Sequence, residues 1–368
     1  MKTKAVVGLL AVGMAASGAV PPDVAAKLVE IGRGVCVPQT AALYRPLQPN
    51  PPYPGTKFLR DQSFGPDPMN VLDVFWAEKG GGNKPVLIYV SGGAGNKLQG
   101  GPNGDVFYDN IMAWAVKSGM TGVNMQRRPG TAWDDPAKDV ALVVKWVHEN
   151  ISKYKGNPKK VFIWSQSAGN IPVSTYLGHP EYYPEFGVGV VGAVLMSPPN
   201  FDILPVTPPA LPGGRGGGLG TCGGAPAAGP GGAGPGGGRG VVDGKGGPKG
   251  GDGKVAAKGG DGKGGGKGGD GKGGGGGRGQ VDAATQLARS NLPGLMKLKI
   301  PFFLASAELD PPGMTEFNEV LKEQFCKAGH CPTVMVFKDH SHISEVMSPY
   351  TKDDSVSGPI LKWMKSVK

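Results

Sequence analysis

Two spacings of apolar residues alternate along this chain. Val86–Val90, Val161–Trp164, Val188–Met196, Ile300–Ala305 and Thr333–Phe337 are short, nearly continuous apolar runs, the pattern of strands covered on both faces. Thr121–Met125 is a shorter strand candidate, and Val71–Ala77 alternates apolar and polar residues as an early edge strand does. Helical spacings lie between them. Val140, Val143, Val144, Val147 and Ile151 make one apolar face. Asp135 reads as the N-cap of that helix, Pro136 as its first residue and Gly156-Asn157-Pro158 as its stop. Further helices are expected around Tyr108–Lys117 and from Ala168 to Leu177, and the proline-rich stretch 38–56 reads as an extended lead-in. Strands alternating with helices predict an α/β fold, with a mostly parallel central sheet and helices on both faces.

Candidate chemistry sits where these strands end. Val161–Trp164 runs into Ser165-Gln166-Ser167-Ala168-Gly169, and a helical segment follows. That is the layout of a nucleophile elbow, in which a serine is exposed on a tight strand-to-helix turn. Small residues two before and two after the serine, here Ser165 and Gly169, let the two backbones approach. A triad of this type continues with an acid after a later strand and a histidine after the next. Glu308 and Asp310 follow the run Ile300–Ala305, and His340 and His342 follow Thr333–Phe337. Open α/β sheets place their sites at this carboxyl edge. Spacing alone leaves two acids and two histidines in play.

One more motif lies upstream, where Val86–Val90 runs into Ser91-Gly92-Gly93-Ala94-Gly95, with Asn124-Met125-Gln126-Arg127 further on. With these motifs the chain resembles the α/β-hydrolase superfamily, specifically secreted bacterial carboxylesterases of the hormone-sensitive-lipase or feruloyl-esterase-like kind. The resemblance covers most of residues 20–211 and 280–368. It implies the α/β-hydrolase fold, and an oxyanion hole built from backbone amides of Gly93, Ala94 and Ala168. It favours His342 over His340, because the family pattern H-x-H-apolar-Ser uses the second histidine, and Asp310 over Glu308. The implied triad is Ser167, Asp310 and His342, and no cofactor or metal is implied. Two positions depart from the family pattern. Ser91 stands where the family carries a histidine, and Ser165 stands where the elbow has glycine. They keep a second reading open, that of a non-catalytic, hydrolase-like secreted binding protein.

Composition changes the picture in one place. Of the 66 glycines, 37 fall within residues 212–279, together with ten Lys or Arg and four Asp. This segment therefore carries +6 of the chain's net charge of +10, and the remainder is only mildly basic. No nucleic-acid partner is expected for the folded part. The segment has too few apolar residues to offset its ordering entropy, so it is expected to be a disordered, low-complexity insertion. Its lysines could make weak contact with polyanions. Gly250–Lys254, Gly259–Lys263 and Gly268–Lys272 repeat every nine residues, but Val255, Gly264 and Gly273 stand where a calcium-binding nonapeptide needs Asp. A lipase-type lid would need an amphipathic helix here. Its absence from the pattern favours short acyl esters as the small-molecule substrate.

The expected organisation is a signal peptide at 1–19, a hydrolase domain in two parts at 20–211 and 280–368, and the insertion at 212–279. Lys2 and Lys4, the apolar stretch Ala5–Ala16 and the small residues Ser17-Gly18-Ala19 carry the signal-peptide reading; a short buried N-terminal helix is the alternative. No later run is long enough for a membrane span. An exported protein, periplasmic or extracellular, tolerates disulfides. Cys326 and Cys331 flank only one histidine, so a local disulfide is expected there rather than a zinc site. Cys36 and Cys222 are too isolated to pair from sequence. His148, His179 and His330 read as solvent-facing. Trp133 and Trp164 read as either acyl-pocket or packing residues.

Overall fold

The eight strands lie in one sheet because most of their residues are apolar on both sides and must be covered twice. The computed structural model describes residues 18–97, 107–128, 132–210, 222–223 and 282–368. In chain order the strands are β1 (Thr56–Ser63), β2 (Val71–Ala77), β3 (Lys84–Val90), β4 (Thr121–Met125), β5 (Gly156–Gln166), β6 (Gly192–Met196), β7 (Phe302–Leu309) and β8 (Thr333–Ser341). Their order across the sheet is β1-β2-β4-β3-β5-β6-β7-β8. β1 and β2 pair antiparallel, β2 meets β4 antiparallel, and all other neighbours run parallel.

The helices are α1 (Pro22–Ile31), α2 (Val37–Tyr44), α3 (Asp109–Lys117), α4 (Asp135–Asn150), α5 (Asn170–Gly178), α6 (Ala283–Ala288), α7 (Leu292–Lys297), α8 (Met314–Lys327), α9 (Ser344–Met347) and α10 (Ser357–Ser366). Alternate strand residues feed two separate cores. Val86, Ile88, Val161, Ile163, Ala193, Leu195, Phe302 and Leu304 pack with the valine face of α4 and with Phe317, Leu321 and Phe325 of α8. Leu87, Tyr89, Phe162, Trp164, Val194, Met196, Phe303 and Ala305 pack with α3 and with Ile360, Trp363 and Met364 of α10. A third cluster joins Val24 and Leu28 of α1 and Tyr44 of α2 to Ile343 and Met347. The N-terminal helices therefore buttress the residues just after β8.

Several expectations need correction. Val71–Ala77 is the second strand, not the edge. The edge is β1, whose sequence TKFLRDQS carries charges on both faces, a composition that blunts edge-to-edge pairing. Residues 38–56 are not simply extended, since α2 runs to Tyr44 and a 3-10 turn, Arg45–Leu47, follows. Gly156-Asn157-Pro158 opens β5 rather than stopping α4, which ends at Asn150 before a 3-10 turn, Ile151–Tyr154. α4 begins at Asp135, one residue after its cap position, Asp134. The strand expected from Val188 begins at Gly192.

Disulfides join Cys326 to Cys331 and Cys36 to Cys222. Of the expected signal peptide at 1–19, residues 1–17 lie outside the described residues. All of the insertion except Cys222 and Gly223 lies outside them too. Among the described residues, no helix is long and apolar enough to cross a membrane.

Candidate active site

β3 sits at the point where strand order reverses: the chain moves to β4 on one side and to β5 on the other. The loops leaving β3 and β5 therefore diverge and leave a crevice at their carboxyl ends. Ser167 lies at that edge, immediately after β5. Its φ of +52° is in the left-handed region, which is uncommon for a non-glycine residue, and it is half-buried. Strain of this kind marks a turn that the surrounding structure holds in place.

The surroundings show what holds it. A Cβ on Gly169 would collide with the carbonyl oxygens of Val90 and Ser91, so only glycine lets α5 start this close to β3. Ser165 Oγ donates to Asn170 Oδ1 at 2.8 Å, and Asn170 Nδ2 donates to the Ser167 and Met196 carbonyls, each at 2.8 Å. Ser165 is therefore not merely a tolerated replacement for glycine. Its hydroxyl orients the side chain that pins the turn.

The structure brings the three sequence-selected side chains together. His342 Nε2 lies 2.8 Å from Ser167 Oγ, and His342 Nδ1 lies 2.7 Å from Asp310 Oδ1. An ionised carboxylate only accepts, so Nδ1–H donates to Asp310 and Nε2 is the ring's acceptor, facing the serine hydroxyl at 2.8 Å and the Gln166 amide nitrogen at 3.3 Å. Asp310 directly follows β7, and His342 directly follows β8. Both are fully buried. Asp310 Oδ2 also accepts from the Ala307 amide at 2.8 Å and from Ser197 Oγ at 2.6 Å. Together with His342 Nδ1, these donors fix the position of the carboxyl group. Glu308, the rival acid, is exposed and accepts from the Asp339 amide.

The loop after β3 packs against the elbow. A Cβ on Gly92 would lie 2.7 Å from Ser167 Cβ, which fixes glycine there. Gly93 has φ +53°, and the backbone at Gly93 and Ala94 is exposed beside it. The supports that a histidine would give are supplied differently. Ser91 Oγ donates to the Asn96 carbonyl at 2.8 Å, and Arg127 Nη2 donates to the Gly93 carbonyl at 2.7 Å. Arg127 N donates to the Gly95 carbonyl at 2.9 Å, and Asn124 Nδ2 donates to the Lys97 carbonyl. The segment Asn124–Arg127 thus braces the loop.

His340 is not at the surface. It is fully buried, with Nδ1 3.0 Å from Ser344 Oγ, Nε2 2.8 Å from Ser355 Oγ and Asp353 Oδ2 at 3.5 Å. Burial outweighs the pull of the Asp353 and Asp339 carboxylates and lowers its pKa from 6.5 to about 4. The unfolded chain therefore takes up this proton first as pH falls. Stability is expected to drop between about pH 6.5 and pH 4, by up to about 3 kcal/mol from this group. Urea unfolding at pH 7 and pH 4.5 checks it: His340→Gln should lose less on acidification than the wild type. His179, expected in solvent, is also buried, edge-on to Trp133 and bonded to Glu181. Trp164 is core, whereas Trp133 is exposed and lies under Arg289.

Four further residues at the site escaped the sequence reading: Gln166, Asn170, Ser197 and Glu345. Gln166 Nε2 donates to the His342 carbonyl at 2.9 Å and to Glu345 Oε1 at 3.2 Å. Asp310, His342 and Glu345 are the one set among the described residues with ligand-type atoms within 4.8 Å of one another. Those atoms are engaged in the bonds just given, so the set is a hydrogen-bonded cluster.

Solved structures share this architecture. A bacterial heroin esterase matches with TM-score 0.54 and 14% identity, over 95% of this chain and 98% of that one. An esterase from the bacterial hormone-sensitive lipase family matches with TM-score 0.51 and 13% identity, over 95% and 99%. The chain has the α/β-hydrolase fold. Residues 72–173 match the BD-FAE family model, a stretch from β2 into α5 that holds the Gly92–Gly95 loop and the elbow. A probable isoprenylcysteine α-carbonyl methylesterase from Arabidopsis thaliana is 28% identical over 109 residues, 29% of this chain and 22% of the relative. Esterase LipQ from Mycobacterium tuberculosis is 31% identical over 134 residues, 33% of this chain and 30% of the relative. The matched stretch thus spans less than a third of either relative's length.

Proposed function

We propose that this α/β-hydrolase cleaves carboxylic esters through an acyl-enzyme, with Ser167 as nucleophile. The observation that carries the reading is the unbroken chain Ser167 Oγ–His342–Asp310 at the carboxyl edge of the sheet. As Oγ attacks the ester carbonyl, His342 Nε2 takes its proton, and Asp310 stabilises the imidazolium that forms. The amide N–H groups of Gly93, Ala94 and Ala168 donate hydrogen bonds to the developing oxyanion. Collapse expels the alcohol, which takes the proton from His342. Water then attacks the acyl-enzyme with His342 again as base, and Ser167 is regenerated.

The names of the similar proteins support ester hydrolysis as the reaction class. Ser91 and Ser165, the two departures that favoured a binding protein, both make hydrogen bonds that brace the site. Export belongs to the proposal as well, supported by two disulfides in a chain with no free cysteine among the described residues. Recovery of the intact 1–19 segment on the protein in its native host would contradict it.

Acyl preference tests the substrate class. With p-nitrophenyl esters of two to twelve carbons, kcat/KM is expected to peak at two to four carbons and to fall at least tenfold by twelve. A maximum at the long end would overturn the short-acyl assignment. No turnover of any ester would overturn the esterase reading.

A further inference from the structure

Behind the triad lies a second carboxyl group that the mechanism above does not use. Glu345, in α9, is fully buried. Among the described residues no Lys or Arg makes an ion pair with it. Arg33 Nε donates to the main-chain carbonyl of Asp310 at 2.9 Å, not to a carboxylate. Glu345 Oε2 is 2.9 Å from Ser197 Oγ, and Ser197 Oγ is 2.6 Å from Asp310 Oδ2. Ser197 stands just past the end of β6 with φ +46°, so its hydroxyl is held between the two acids by a constrained turn.

Counting protons decides the arrangement. A serine hydroxyl has one hydrogen and can donate to only one of two carboxylates. Asp310 must stay ionised to hold His342 in the required tautomer, and it takes the Ser197 hydrogen at the shorter distance. The contact from Ser197 to Glu345 is then favourable only if Glu345 carries a hydrogen and donates it. The other oxygen, Oε1, accepts from Gln166, as the carbonyl oxygen of a neutral acid would. We infer that Glu345 is held as the neutral acid and donates through Ser197 to Asp310, so that it positions the triad as a hydrogen-bond donor. The relay reads Glu345 O–H to Ser197 O–H to the Asp310 carboxylate, which accepts His342 Nδ1–H from the other side.

The remaining groups around Glu345 fit a neutral acid. Asp310 after β7 is negative, Tyr89 of β3 is a neutral phenol, and His342 after β8 already spends Nδ1 on Asp310. Burial and the nearby Asp310 charge push the Glu345 carboxyl well above its ordinary range. A second negative charge here would face Asp310 with no cation to offset it. Glu345 also ties the two loops together. Through Ser197 it reaches the acid, and through Gln166, which bonds to the His342 carbonyl, it reaches the residue before the nucleophile.

This inference rests on the proposed triad, which requires an ionised Asp310, and on the esterase reading for its kinetic consequence; the protonation state and the kinetics are tested separately. Infrared difference spectra of the folded wild type against Glu345→Gln at pH 7 should show a protonated carboxylic-acid carbonyl band in the wild type. That band should shift in heavy water and be absent from the variant. Steady-state kinetics on p-nitrophenyl acetate supply the second readout. Glu345→Ala is expected to lower kcat about 10–100-fold with KM within threefold, from loss of one buried donor to the site. Glu345→Gln keeps a neutral donor and acceptor, and should recover at least tenfold relative to Glu345→Asp, whose shorter side chain cannot span Ser197 and Gln166. Absence of the acid band at pH 7 overturns the inference whatever the activity. A folded Glu345→Gln as slow as Glu345→Asp overturns it too.

Discussion

Replacing Ser167 with alanine is expected to lower kcat for p-nitrophenyl acetate by about 10⁴–10⁶-fold, the range seen when a triad nucleophile is removed. The size follows from the site acting as a unit. His342 has no proton to take without the hydroxyl, so the remaining members lose their role together, and only oxyanion stabilisation and binding persist. KM should change little, because the hydroxyl makes its decisive contact only as the bond forms. Alanine fits the left-handed turn no worse than serine does, so the unfolding midpoint should stay close to that of the wild type. Purified wild type and variant, assayed together with thermal unfolding, give the test. A variant that keeps a tenth of the activity would remove Ser167 from the mechanism.

Asp310→Asn is expected to lower kcat by about 10⁴-fold with the fold retained. The present carboxylate accepts from three donors: His342 Nδ1, Ser197 Oγ and the Ala307 amide. An amide offers one acceptor oxygen and one donor group in the same space. If its oxygen stays with Ser197 and Ala307, its NH₂ faces His342 Nδ1. That contact drives the ring to the tautomer with hydrogen on Nε2, which cannot accept from Ser167. If the amide flips, two buried donors face each other, at a cost of about 1–3 kcal/mol. Either way the base is lost or the loop is disturbed. Steady-state kinetics with a urea-unfolding control separates the two. A change of less than tenfold in kcat would show that Asp310 is not the orienting acid.

The members of the proposed triad could be picked out because each sits next to a strand end that local pattern can find. Val161–Trp164, Ile300–Ala305 and Thr333–Phe337 are apolar enough to be read as strands, and the small residues of the elbow name its turn. The supporting residues were not legible in the same way. Glu345 follows His342 by three residues, but its burial and its bond to Ser197 depend on β6 and β8, on either side of β7, ending at the same edge of the sheet. Asn170 and Ser165 acquire a role only once α5 turns back over β5. β1 was missed because an edge strand with charges on both faces carries no period-two signal. His179 looked like a loop histidine, yet Trp133 and Tyr182 cover its ring. Cys36 and Cys222 are separated by 186 residues, and no local rule pairs them.

The central claim is that Ser167 is a serine activated by His342 and Asp310. Treatment with a fluorophosphonate probe, followed by intact-mass analysis and peptide mapping, tests it without knowledge of the natural ester. A single covalent adduct mapped to Ser167, and lost in Ser167→Ala, is the predicted result. Folded wild-type protein that takes up no adduct, or takes it up elsewhere, would contradict the account.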